Sequence, residues 1–460
     1  MIFLQKNTLK ILQFLIYLFP ISFIFGNLIT NLFISFIILF GVFYYKKRLF
    51  EWFDKKFFLI ILLFFFTVLV SSYYNYFFVL ETKDALKSIL YLRYFLFLLI
   101  LRTLVVNLEI NLNTFLKSCL IISFIVSLDI IFQFSFGKNI LGYEVFKLSS
   151  EVKYYTGIFG DRLVAGGFIL MFSTIGIFAL FNIIKIEKNK YLYLIIFAIL
   201  IIFFFTSLLL AGNRMPLVMF LFFLICLGII YKKKEKFYFL FLSATMILSL
   251  GVLIVKSETI IKRAGNFYVG IPNPVIIFEE INKEYPNLKK YEGTGIQFHN
   301  LEEFKTTSNY RPLPHYTGHL PLYITSINLF MDRPLFGGGI KSFRNFCSTK
   351  IHLPNRVCEN HPHNYILEIL NDTGIIGFFL ILFFLLYIVY YSYLDYINRN
   401  KHSSHISDWV YLAMILSLFL MFFPFKSSGS FFSTFNSGFN FLILGFSAGL
   451  VELKNKTSPK

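Results

Sequence analysis

Runs of about twenty apolar residues recur along this chain, and they constrain its fold more than any other feature. They cover roughly 9–26, 28–45, 57–74, 88–106, 114–136, 164–184, 191–210, 215–231, 237–256, 373–395, 408–425 and 433–451. A bilayer core takes roughly 20 residues of α-helix to cross. Within it every backbone N–H and C=O must be bonded inside the protein, which leaves helices or closed barrels. Barrel strands alternate apolar with polar residues, and these runs do not. The reading is an all-α polytopic membrane protein with about twelve transmembrane helices. Composition agrees, with 57% of residues hydrophobic and 15% charged, far from the balance of a soluble domain. No small-residue cleavage site follows the first run, which therefore reads as a retained helix.

Lysine and arginine gather in alternate turns. One set holds Lys46, Lys47 and Arg48, Lys55 and Lys56, Lys185, Lys188 and Lys190, Lys232, Lys233, Lys234 and Lys236, and finally Lys454, Lys456 and Lys460. The other short turns hold fewer, such as Lys83, Lys138 and Lys153. The positive-inside rule puts the first set, and the N-terminus, in the cytoplasm. The organisation expected is helices one to nine in 1–256, one large external loop at 257–372, helices ten to twelve in 373–451, and a cytoplasmic tail at 452–460. The net charge of +18 needs no nucleic acid, because anionic membrane lipids attract cationic turns of this kind.

The external loop is the single long break in apolar character. Its prolines and the run Gly337, Gly338, Gly339 predict irregular backbone. Helical pieces are expected around 318–332 and 362–372, the second with an apolar stripe of Tyr365, Ile366, Ile369 and Leu370. The loop ends in ENHPHNYILEILNDTGIIGFF, residues 359–379, where His-rich sequence turns into a span. His361, His363 and Asn364 are thus expected at a membrane–water boundary, where imidazole can exchange a proton with a lipid-linked substrate. The plainer alternative is that they are polar residues at the start of a helix.

Arg214 falls in the turn between the seventh and eighth runs, with Pro216 suited to the first turn of the next helix. An arginine beside a helix N-terminus combines a bidentate donor with the positive end of the dipole, a phosphate-binding arrangement. A simple interfacial anchor is the alternative. Arg93 and Asp129 lie within apolar runs at similar depth, counted at about 1.5 Å per residue, so they are expected to pair. Cys119 and Cys226 read as buried apolar residues. Cys347 and Cys358 flank an external segment, and an oxidising compartment would join them in a disulfide. The rival is a zinc site using both with His361 and His363.

Four segments, in order, resemble the O-antigen ligase and O-antigen polymerase superfamily. HPHNYILEILNDTGIIG is similar to its His-Asn-x-x-Leu segment, and LAGNRMPLVMF (210–220) to its arginine-bearing external turn. TGHLPLYITSINLFMDRPLFGGGIKSFRNF (317–346) resembles its loop helix, followed by Pro-Leu-x-Gly-x-Gly. GIFGDRLVAGGFIL (157–170) is similar to the segment that opens a mid-chain helix.

The resemblance implies an integral-membrane, GT-C-like glycosyltransferase in the inner membrane of a Gram-negative cell, with its active site facing the periplasm. Its donor would be a glycan on undecaprenyl diphosphate, used without nucleotide sugar, metal or other cofactor. The acceptor would be the lipid A–core saccharide for a ligase, or a second lipid-linked glycan for a polymerase. His363 would be the general base, Asn364 would orient it or hold a substrate oxygen, and His361 could bind substrate. Arg214 would hold the diphosphate, with Arg162, Arg311, His319 and Arg344 as further contacts. The family's second arginine, expected just before the loop helix, is not conserved in position here; Arg311 and His319 are both candidates. A twelve-helix transporter or flippase would instead show repeat-related halves and polar groups at the midplane, and neither is visible.

Overall fold

The computed structural model describes residues 2–51, 55–78, 85–147, 153–181, 190–230, 319–347, 358–397 and 408–457. Its elements in chain order are α1 (Ile2–Tyr17), α2 (Phe19–Ser22), α3 (Asn27–Tyr45), α4 (Lys55–Phe78), α5 (Ala85–Tyr91), α6 (Arg93–Val106) and α7 (Leu112–Phe136). A two-residue antiparallel ribbon follows, β1 (Phe146–Lys147) against β2 (Lys153–Tyr154). Then come α8 (Ala165–Gly176), α9 (Lys190–Ala211), α10 (Arg214–Ile230), α11 (Leu320–Asp332), α12 (Ser342–Phe346), α13 (Tyr365–Ile397), α14 (Asp408–Met421) and α15 (Thr434–Thr457).

Six of the described helical segments are long and apolar enough to cross a membrane, namely Asn27–Phe50, Lys55–Phe77, Ala85–Val106, Leu112–Phe136, Tyr365–Ser392 and Thr434–Leu453. Four shorter apolar helices accompany them. The chain is a multi-pass helical membrane protein. Eleven of the twelve expected runs fall on described helices, whereas 237–256 lies outside the described residues, as does most of the expected external loop. The tail expected from 452 is helical as far as Thr457.

Small residues let the helices approach. Gly445 and Gly449 form a G-x-x-x-G face on α15 that packs on α6. A Cβ added at Gly445 would sit 2.9 Å from Leu101 Cβ, and one at Gly449 would sit 2.8 Å from the Arg102 carbonyl oxygen. With no hydrophobic drive between helices in lipid, such close contact supplies the attraction. One turn beyond, buried Arg102 makes a bidentate ion pair with buried Glu452, so neither charge is left uncompensated.

The expected short helix at 362–372 and the expected span at 373–395 form one element. Helix α13 runs through both and bends at Gly374, whose φ of 66° and ψ of −170° only glycine adopts freely. The glycine run docks into this bend. Gly338 N–H donates to the Asn371 carbonyl (2.7 Å), Gly339 N–H donates to the Asp372 carbonyl (2.9 Å), and Asn75 of α4 donates to the Gly337 carbonyl (3.1 Å). The Asp372 carboxylate accepts the backbone N–H groups of Lys341 (2.9 Å) and Ser342 (3.1 Å), which caps α12. These glycines therefore clamp the loop onto α4 and α13, and α12 is held at the same end of the bundle.

Candidate functional site

A cavity of about 1830 Å³ opens at that end. Its walls come from alternate connections: Asn27, the α5–α6 junction, residues 154–167, the α9–α10 turn, residues 319–344, the segment 360–365, and the α14–α15 loop. Asn27 opens α3, and the basic turn at Lys46 lies nineteen residues on, at about 1.5 Å each. That turn is thus a full helix length from the cavity.

The charge of the lining is one-sided. Lys87, Arg93, Arg162, Arg214, Lys341, Arg344 and Lys426 all line the cavity, and among the described residues no lining side chain is Asp or Glu. Apolar lining from Leu170 and Met171 of α8, Val218 and Met219 of α10, and Phe423 and Phe425 adjoins the cations. The chamber suits an anionic head on an apolar tail.

Three imidazoles meet in the wall. The rings of His361 and His363 lie 4.2 Å apart, and those of His319 and His363 4.8 Å apart. His363 adopts the left-handed conformation, with φ 55°, a conformation uncommon outside glycine. Its Nε2 bonds Glu359 Oε2 at 2.8 Å, and this bond is the main cause that holds the Glu359 carboxyl below the usual carboxylate range. Burial lowers His319 to a pKa of about 4, reinforced by the charges of His363 and Arg214. Burial likewise lowers His361 to about 4. Both are neutral rings at neutral pH. His319 Nε2 is 3.1 Å from Ser427 Oγ. Among the described residues, buried His319 Nδ1 and His361 Nε2 have no hydrogen-bond partner.

The structure brings His361, His363, His319, Arg214, Arg344 and Arg162 to one cavity. Arg214 heads α10, and Arg344 sits on α12. Arg162 also reaches back, its Nη2 donating to the Ile24 carbonyl at 2.6 Å. Arg311 lies outside the described residues. Cys347 and Cys358 are disulfide-bonded (S–S 2.01 Å), tying α12 to the histidine segment, so their thiols are not available to the rival zinc arrangement.

Two expectations need correction. Asn364 does not face the cavity. It is 5% exposed, its Oδ1 accepts the Leu367 N–H at 3.1 Å, and its Nδ2 donates to the carbonyls of Pro424 (2.7 Å) and Lys426 (3.3 Å). It caps α13 and fastens the α14–α15 loop. Arg93 and Asp129 do not pair. Arg93 donates to the Leu90 carbonyl (2.9 Å) and the Tyr94 hydroxyl (3.1 Å), whereas Asp129 accepts from Ile140 N–H (2.9 Å) and Asn139 (3.3 Å). Equal depth fixes height along a helix but not the direction a side chain takes around it.

Sequence reasoning missed the α14–α15 loop. Its Lys426-Ser427-Ser428-Gly429-Ser430 stretch interrupts two apolar runs, which was the available signal. The loop is held by Ser428 N–H donating to the His363 carbonyl (2.8 Å) and by buried Glu368 of α13, which accepts from Ser430 Oγ at 2.6 Å. Glu359 was also missed, although it stands four residues before His363.

Fold and cavity together define a multi-pass membrane protein with a cationic, histidine-bearing chamber at one end of its bundle. Residues 198–382, two fifths of the chain, match the family model described as O-antigen ligase, and this stretch is similar to that family. The match runs from within α9 to the first half of α13, and so includes Arg214, His319, Arg344, His361 and His363. Among curated proteins no match is found.

Proposed function

We propose that the protein is an O-antigen ligase-like glycosyltransferase of a Gram-negative inner membrane. It moves a glycan from undecaprenyl diphosphate to a lipid A–core acceptor on the periplasmic face. The observation that carries this reading is the lining: seven cationic side chains, no carboxylate among the described lining residues, and three clustered imidazoles.

The reaction makes one bond and breaks one. The acceptor hydroxyl oxygen attacks the anomeric carbon, and the bond from that carbon to the diphosphate oxygen breaks with its electron pair leaving on the diphosphate. The hydroxyl proton goes to His363. Glu359 can only accept, so Nε2 of His363 carries a proton and Nδ1 holds the lone pair that takes the new one. Charge that develops on the departing diphosphate is stabilised by Arg214, with Arg162 and Arg344 nearby, in a cavity where such groups are already oriented. Neutral His319 serves as a hydrogen-bonding group, and a permanent guanidinium suits the phosphate better. No step calls for a metal.

A deletion strain tests the reading. Long glycan chains left unattached to lipid A–core are expected. Core capped with a single repeat would instead indicate a polymerase acting on a second lipid-linked glycan, and unchanged surface polysaccharide would reject both.

A further inference from the structure

Lys426 stands out as a buried cation that the mechanism above does not use. It lies in the α14–α15 loop, lines the cavity and is 8% exposed. An ammonium has three N–H donors, yet among the described residues Nζ makes one hydrogen bond, to the Leu420 carbonyl at 3.4 Å. The Tyr365 ring, 5.8 Å away, offers only its face. No carboxylate among the described residues pairs with it. Burying an ammonium without a counter-charge is costly, and a fold that retains one beside a cavity gains when an anion enters.

The position of this cation is fixed against the imidazoles. Its own carbonyl accepts from Asn364 Nδ2 at 3.3 Å, next in sequence to His363. Ser427, the following residue, bonds His319, and Ser428 N–H bonds the His363 carbonyl. The main chain that carries Lys426 is thereby tied to the histidine segment.

We propose that Lys426, which lines the same cavity as Arg214, is a substrate-binding residue that grips a phosphate of the lipid-linked diphosphate. This rests on the glycosyltransferase reading for the name of the substrate but not for the anion chemistry. Burial lowers the Lys426 ammonium to a pKa of about 8, and an anion bound beside it would reverse that shift.

The test uses the full-length protein in detergent and four probes: undecaprenyl diphosphate, undecaprenol, inorganic diphosphate and phosphatidylglycerol. Lys426→Met should lose about tenfold or more in affinity for undecaprenyl diphosphate, the size of one charged hydrogen bond, and should bind undecaprenol as the wild type does. Lys426→Arg should recover part of the loss. Should Lys426→Met fail to fold, amine acetylation of the wild-type protein followed by mass spectrometry gives the same answer: undecaprenyl diphosphate should protect Lys426, and undecaprenol should not. Equal loss of both lipids, or no protection, overturns the proposal, as does protection by phosphatidylglycerol equal to that by the diphosphate. Protection by inorganic diphosphate alone would also overturn it, making Lys426 a free-anion site. Lys426-dependent diphosphate binding in a protein with no glycan transfer would leave this proposal standing and remove the glycosyltransferase reading. Transfer that proceeds in Lys426→Met with unaltered donor affinity would do the reverse.

Discussion

His363 and Glu359 form a hydrogen-bonded pair, Nε2 to Oε2 at 2.8 Å, in which the carboxylate is 48% exposed and the imidazole 27%. The carboxylate sets which ring nitrogen carries the proton, and in the proposed mechanism it would thereby position the base. Glu359→Gln can donate as well as accept and no longer fixes that tautomer. Its turnover should fall roughly ten- to a thousandfold, within the span of general-base contributions, while donor affinity stays within about twofold of wild type. Parallel loss of donor binding would assign Glu359 to the substrate site itself.

Arg214→Ala should weaken binding of the diphosphate donor by about 1.5–3 kcal/mol, the worth of a hydrogen bond to a charged group. Lysine should restore only part of this, because it lacks the planar fork. Titration of the lipid diphosphate against both variants in detergent checks it. Full rescue by lysine would argue for a plain charge effect.

Much of this arrangement was legible in the sequence. Eleven of the twelve apolar runs fall on described helices, because run length and the absence of alternation are set by the bilayer. The motif around His363 and the turn around Arg214 were legible because polar residues interrupting greasy sequence have few other reasons to be there. What the sequence did not disclose is direction and burial. Asn364 sits inside the motif yet turns inward to cap α13. Asp129 faces Asn139 rather than Arg93, and His319 loses its charge to burial. Lys426 reads as an ordinary loop cation until the fold buries it.

Acidification should loosen the histidine cluster. In the folded protein His319 and His361 titrate at about 4, below the ordinary 6.5. Between these values the unfolded chain binds protons that the folded one does not, so stability rises with pH across that window and falls as pH drops through it. Glu359, held below its ordinary value, adds a loss of the same sign at lower pH. Thermal melting in detergent should therefore fall from pH 7 to pH 5, and His319→Gln with His361→Gln should flatten the slope. A melting temperature that rises on acidification would contradict the burial of these rings.

Gly374 should be irreplaceable for a structural reason. At φ 66° a side chain is strained, and a Cβ there would collide with the Leu335 carbonyl and lie 2.6 Å from Phe336 N. Gly374→Ala should cost about 1–3 kcal/mol from backbone strain alone and should detach the glycine run from α13. A lowered melting temperature is expected; an unchanged one would refute the clamp.

The most direct measurement is glycan transfer by purified, reconstituted protein, supplied with undecaprenyl-diphosphate-linked glycan and lipid A–core. Wild-type protein should form the linked product without nucleotide sugar. His363→Ala should form none, while binding the donor as tightly as wild type and melting at a similar temperature. Product formed by His363→Ala at the wild-type rate would contradict the assignment of the base, and absence of product with wild-type protein would contradict the function.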